Sequence, residues 1–147
     1  MTLKVGINGF GRIGRMILRS IIEQNRKDLE VVAINNRSDA ETSSFLLIND
    51  TVHGKLKSKI SHSEKTINID GKKINMIQEN EISKIDWKKY KVNIVLECTG
   101  KFNTKEKSSQ HINSGANKVI VSAPCKGAKS IIYGVNEKNL KSSDQVI

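Results

Sequence analysis

The sequence predicts an α/β fold, doubly wound around a mostly parallel sheet with an inserted antiparallel hairpin region, and three observations carry that prediction. Apolar runs of strand length, LEVVAI at 29–34, VNIVLEC at 92–98 and KVIVSA at 118–123, alternate with segments of helical periodicity. Such near-continuous runs suit parallel strands that are covered on both faces. The N-terminal stretch VGINGFGRIGRM places glycines at 9, 11 and 14, in the order G-x-G-x-x-G, between the first strand and the first helix. In the middle of the chain KSKIS, KTINI and KINMI form short runs with IDGKK turning between the last two, the pattern of antiparallel hairpins.

The elements follow in order. Leu3 to Ile7 is a short apolar run ended by the glycines, with Asn8 as its last residue. From Gly11 the residues Ile13, Met16, Ile17 and Ile21 recur at helical spacing until Gln24-Asn25-Arg26-Lys27-Asp28 dissolves the pattern, which makes one amphipathic helix. Leu29 to Ile34 is the second strand, completing a βαβ unit, and Ala40 to Leu47 can form a second helix. After the hairpin region and the strand at 92–98, a polar helix from about Thr104 to Asn113 is closed by Ser114-Gly115. Pro124, the one proline, stops the strand that begins at Lys118. The C-terminal DQVI reads as the start of another strand, so the chain is expected to be cut within a larger architecture, with residues 1–147 forming one truncated dinucleotide-binding domain.

The glycine turn has the context that a Rossmann-type dinucleotide site demands: a strand before it, a helix after it and a βαβ unit around it. Gly9 permits the tight turn, Gly11 lets the backbone approach a pyrophosphate, and Gly14 lets helix and strand pack closely. The N–H groups around Arg12 and Ile13 then face the diphosphate along a favourable helix dipole. Asn8 and Phe10 complete the binding loop. The fingerprint also expects a carboxylate at the end of the second strand to hold the adenosine ribose. The sequence there reads VVAINNRSD, with Asn36 in that place and Arg37 beside it. A neutral amide beside a guanidinium tolerates or attracts a 2′-phosphate, so the cofactor is expected to be NAD or NADP. The alternative is that Asn36 bonds the hydroxyls of NAD while Arg37 points into solvent.

Composition narrows the remaining classes. At 147 residues and 37% hydrophobic the chain supports one domain. No apolar run has the length of a membrane span and MTLKV lacks the features of a signal peptide, so a cytoplasmic protein with no membrane partner is expected. The net charge of +10 suits phosphorylated ligands or nucleic acid. The lysines are scattered, however, and no aromatic stacking platform interleaves with arginine, which disfavours nucleic acid. Cys98 and Cys125 lack metal or disulfide spacing; Cys98 reads as a core residue at the end of a strand, and Cys125 as a thiol beside the cofactor pocket. His53, His62 and His111 have no metal-like spacing and are expected in surface or turn roles, and Lys88-Lys89-Tyr90-Lys91 as a solvated face.

Taken together, GINGFGRIGR, AIN at 33–35, DTVHG at 50–54, ECTGKF at 97–102, SAP at 122–124 and YGVN at 133–136 resemble the phosphorylating glyceraldehyde-3-phosphate dehydrogenases, from Lys4 to Ile147 in unbroken order. The resemblance implies that Gly9 to Gly14 hold the pyrophosphate, that Thr99, Gly100 and Phe102 lie along the adenosine, and that Ser122 lies near the nicotinamide. It implies an intact homotetrameric enzyme of glycolysis whose cysteine nucleophile and histidine base lie beyond residue 147, leaving no catalytic residue in this segment, which is expected to be inactive alone. Two residues depart from the family's pattern. Asn36 replaces the usual aspartate, and Asn80 stands where an arginine flanking the adenine is common. Erythrose-4-phosphate dehydrogenase shows similar blocks, which leaves the aldehyde open.

Overall fold

The computed structural model describes residues 2–147. Strand β1 (Leu3–Asn8), helix α1 (Arg12–Glu23) and strand β2 (Leu29–Asn35) form the βαβ unit, followed by α2 (Ala40–Ile48). A two-residue ladder of β3 (Asn49–Asp50) with β4 (Gly54–Lys55) then precedes β5 (Ile60–Ser63), β6 (Thr66–Ile69) and β7 (Lys72–Ile77). After β8 (Ile94–Glu97) come α3 (Lys105–Ser108), α4 (Gln110–Asn113) and β9 (Lys118–Val121). The seven-stranded sheet has the order β5-β6-β7-β2-β1-β8-β9. Its β5-β6 and β6-β7 pairings are antiparallel and the others parallel. The C-terminal run does extend the sheet: Val146 bridges Val119 in parallel, and Ile147 N–H donates to the Val119 carbonyl at 3.1 Å.

Each face of the sheet buries its own core. Val5, Ile7, Val31 and Ile34 meet Leu18 of α1, Leu47 of α2 and Ile67, Ile69 and Ile74 of the hairpins on one side. Val32, Ala33 and Val95 meet Ile85, Trp87 and Ala116 on the other. The β1–β2 register slips by one residue between Val5 and Gly6. That bulge explains why the adjacent Val32 and Ala33 serve one core while Val31 and Ile34 serve the other. Gly6 is small for a packing reason: a Cβ there would lie 2.7 Å from the ring of Trp87.

Several local expectations are corrected. Ile13 is 51% exposed, and the buried side of α1 runs instead through Gly14 and Leu18, because Gly14 is pressed against the Gly9 carbonyl. The polar helix at 104–113 is broken into α3 and α4 at Ser109. The Ser109 hydroxyl donates back to the Lys105 carbonyl at 2.6 Å, and Ile112 N–H reaches Ser109 rather than Ser108, a competition that bends helices. Gly115 closes the pair at φ +105, where a Cβ would strike Lys88. The strand expected at 57–61 is shifted to Ile60–Ser63, because Ser63 and Thr66 join hydroxyls at 2.6 Å across the Glu64-Lys65 turn.

Candidate dinucleotide-binding site

β1 is flanked by β2 on one side and by β8 on the other, so successive connections leave it in opposite directions and a crevice opens at the carboxyl ends of these strands. A cleft of about 340 Å³ occupies that crevice. Asn8, Gly9, Gly11, Asn36, Arg37, Asn80, Thr99 and Phe102 line it, all expected from the sequence. A second groove of about 200 Å³ lies at the opposite end of β2, among Leu18, Ile22, Leu29 and Ile74, away from the glycine turn.

The three glycines have three different physical reasons. Gly9 sits at φ +92, and a Cβ would lie 2.8 Å from the Thr99 backbone nitrogen. Gly14 would place a Cβ 2.3 Å from the Gly9 carbonyl oxygen. Gly11 has neither constraint: its φ of −73° and ψ of −156° suit any residue, and a Cβ would meet no protein atom within 4 Å. Gly11 faces open space in the cleft, where a methyl group would fill the cradle.

The start of α1 is prepared for an anion. It has no side-chain cap and no acidic residue in its first turn, and Arg12 and Arg15 stand there. By contrast, α2 is capped by Asp39, which accepts from Thr42 N–H at 2.7 Å, and α3 by Thr104. Cations at a helix N-terminus oppose the macrodipole unless negative charge joins them. Asp50 already pairs with Arg12 at 3.5 Å and Arg15 donates to the Phe10 carbonyl at 3.1 Å. It is therefore the uncapped N–H groups and the open face of Gly11 that fit a diphosphate, and with the aromatic Phe102 and the polar Asn36 and Asn80 they fit a nucleotide.

Other expected residues contribute differently. The Phe10 side chain is 2% exposed in the core, so only its backbone can serve the loop, and its N–H is already given to Asn36 Oδ1 at 3.3 Å. Arg12, Ile13 and Gly14 do not line the cleft: Arg12 directs its guanidinium to Asp50 at 3.5 Å, the Ile13 side chain is exposed, and Gly14 is buried against the Gly9 carbonyl. Gly100, at φ +72, lies between the lining residues Thr99 and Lys101. Ser122 does not line the cleft. Asn36 Nδ2 also reaches Ser43 Oγ at 3.4 Å. Arg37 is exposed, with no ion pair among the described residues.

Sequence reading missed Asn35, Glu79, Ile82, Ile85, Cys98 and Lys101 in the lining. Asn35 was findable, since a polar residue ending an apolar strand needs partners. Its Nδ2 donates to Asn8 Oδ1 at 2.7 Å and to the Glu79 carbonyl, and its Oδ1 accepts Glu79 N–H at 2.8 Å. His111 is a correction. It is fully buried rather than on the surface or in a turn, and it lies 2.9 Å from the Glu97 carboxylate while accepting the Trp87 indole N–H. Burial pushes Glu97 towards its neutral form, but hydrogen bonds from His111, Thr99 and Asn8 outweigh it and hold the carboxyl below its ordinary range. Burial raises both thiols, so Cys98 and Cys125 lack the low-pKa setting of a nucleophile. Among the described residues no cluster of three His, Cys, Asp or Glu could hold a metal, and no helix is long and apolar enough to cross a membrane.

Fold and cleft define a dinucleotide-binding domain of the Rossmann type. Residues 3–105 match the family model described as glyceraldehyde 3-phosphate dehydrogenase, NAD binding domain, and the chain belongs to that family. Its relatives include the glyceraldehyde-3-phosphate dehydrogenases of Cereibacter sphaeroides, 44% identical over all of this chain and 44% of the relative, and of Thermotoga maritima, 43% identical over 98% and 44%. That of Streptomyces coelicolor is 46% identical over 93% of this chain and 41% of its own length. The chain thus spans less than half the length of the curated relatives it matches. These names favour neither the erythrose-4-phosphate nor the nucleic-acid alternative.

Proposed function

We propose that residues 1–147 form a single dinucleotide-binding domain that holds NAD or NADP for a phosphorylating aldehyde dehydrogenase acting on glyceraldehyde 3-phosphate. The observation that carries this reading is Gly11, whose missing side chain answers to nothing in the protein and opens onto the cleft beside an uncapped, arginine-bearing helix start. Gly9, Gly11 and the backbone from Arg12 to Gly14 receive the diphosphate. Asn36 and Arg37 meet the adenosine ribose, Asn80, Thr99, Gly100 and Phe102 frame the adenosine, and Ser122 stands towards the nicotinamide. The nicotinamide, when bound, supplies a hydride acceptor. This chain's residues bind and orient it; no covalent step is given to Cys98 or Cys125, whose thiols are held protonated by burial.

The 147-residue chain alone is therefore expected to bind cofactor and not to turn over aldehyde. The intact enzyme is proposed to be a cytoplasmic homotetramer, a reading supported by exposed Ile132, Tyr133 and Val135, which offer apolar surface for contacts. A second reading concerns the cofactor: Asn36 in place of a carboxylate, beside an exposed Arg37 that has no ion pair among the described residues, favours accepting NADP as well as NAD. Calorimetric titration of the chain with NAD, NADP and ADP-ribose tests the proposal. One site per chain, shared by all three ligands, is expected, and absence of binding by ADP-ribose and both cofactors overturns it. Aldehyde-dependent NADH formation by the purified chain would overturn the assignment of turnover elsewhere.

A further inference from the structure

The cleft is framed by polar groups that lead away from it into the interior. Glu97 Oε1 accepts Thr99 N–H at 2.8 Å and the Thr99 hydroxyl, while Oε2 accepts from Asn8 Nδ2 and from His111 Nε2 at 2.9 Å. Behind His111, the Trp87 Nε1–H donates to Nδ1 at 2.9 Å. An indole N–H can only donate, so Nδ1 is the acceptor and the ring proton sits on Nε2, aimed at the carboxylate. Trp87 is itself fixed, being fully buried with its ring seated on Gly6 of β1.

A buried carboxylate is costly, and an apolar set of equal volume often serves stability as well. What this arrangement adds is direction. One carboxylate ties the last residue of β1, just before Gly9, to the turn after β8, and through Asn8 and Asn35 to the end of β2 and Glu79. These segments make up most of the wall of the cleft.

We propose that Trp87, His111 and Glu97 form a buried positioning chain that sets the geometry of the cofactor cleft from outside it. Its value for ligand binding rests on the cofactor reading above; its effect on the cleft walls does not. Trp87→Phe keeps an aromatic ring in the fully buried site but removes the N–H together with part of the indole. The His111 proton is then free to move to Nδ1, Glu97 loses a donor, and the Thr99 turn and Gly9 loosen.

The test compares wild type with Trp87→Phe and, as a second variant, His111→Asn. In wild type the ¹⁵N shifts of the His111 ring should show a protonated Nε2 and a bare Nδ1, and Trp87→Phe should lose that pattern. Amide exchange at Gly9 and Thr99 should quicken at least about tenfold in both variants, with Ile67 and Ile74 in the hairpins unchanged, and NAD affinity should fall about 3- to 10-fold. A protonated Nδ1 in wild type overturns the proposal. So does exchange at Gly9 and Thr99 that stays at the wild-type rate, or that rises only in step with Ile67 and Ile74, in whichever variant folds. If exchange responds locally while wild type binds no NAD, the cofactor reading fails and the positioning chain stands.

Discussion

Replacing Gly11 by alanine should separate binding from folding, because the structure gives this residue no internal reason to be glycine. Its extended backbone suits alanine, and the added methyl meets no protein atom within 4 Å. Reduced freedom of the unfolded chain stabilises the variant by about 0.4–1 kcal/mol. Loss of a favoured helix-cap residue costs about 0.5–1 kcal/mol. The two offset, and the urea midpoint should stay near wild type. Gly14→Ala is the contrast: its methyl would lie 2.3 Å from the Gly9 carbonyl oxygen and 3.1 Å from the Ile7 side chain. Helix α1 would have to lift from β1, an overpacking that costs about 1–3 kcal/mol. In the cleft, the Gly11→Ala methyl stands where the proposed diphosphate would approach the helix start. Losing one charge-assisted hydrogen bond there, about 1.5–3 kcal/mol, weakens binding about 10- to 150-fold. Urea denaturation followed by circular dichroism, with calorimetric titration of NAD and ADP-ribose, measures both quantities. Unchanged affinity in Gly11→Ala would refute the close-approach argument, and a stability loss equal to that of Gly14→Ala would refute the packing argument.

Asn36→Asp should weaken NADP binding about 5- to 30-fold more than NAD binding, a like-charge penalty of about 1–2 kcal/mol in a partly solvated cleft; an unchanged NAD/NADP ratio by calorimetry would make Asn36 a neutral ribose ligand. Arg37→Ala should weaken NADP and leave NAD unchanged, checked in the same titrations. Arg19, 3% exposed, donates to the carbonyls of His53 and Gly54 and pairs with Glu23. Arg19→Met should cost about 2 kcal/mol and lower Tm by about 4–8 °C, and a calorimetric scan matching wild type would contradict that. The carboxyl of Asp50 is held below its ordinary range, first by the backbone N–H of His53, and that of Asp28 is lowered to about 2 by its hydrogen bonds with Arg26. A depressed folded-state pKa contributes stability that is present above the unfolded value near 4 and is lost as pH falls through the folded one. Urea midpoints should therefore decline from about pH 4 towards pH 2, and Asp50→Asn should flatten that decline.

The parallel βαβ start, the hairpin insertion and the glycine turn were legible in the sequence because each is specified locally. Apolar runs set strand length, helical spacing sets α1, and a residue without a side chain marks each place where the backbone turns or is approached. Asn36 and Arg37 could be placed for the same reason, by counting from the end of one strand. Even so, periodicity put Ile13 of α1 inside, whereas the contact of Gly14 with Gly9 turned it out to solvent. Tertiary structure alone decided the buried groups behind the cleft. Glu97 meets Asn8 from 89 residues away and His111 from 14, and Trp87 reaches His111 across 24. A lone histidine in a polar helix reads as a surface residue, since its sequence neighbours are hydrophilic. Only the crossing of β8, α4 and the segment around Trp87 supplies the carboxylate and the indole that make burying it affordable. Sequence fixes which hydrogen-bonding groups a chain carries; proximity across the sheet decides which of them can leave water together.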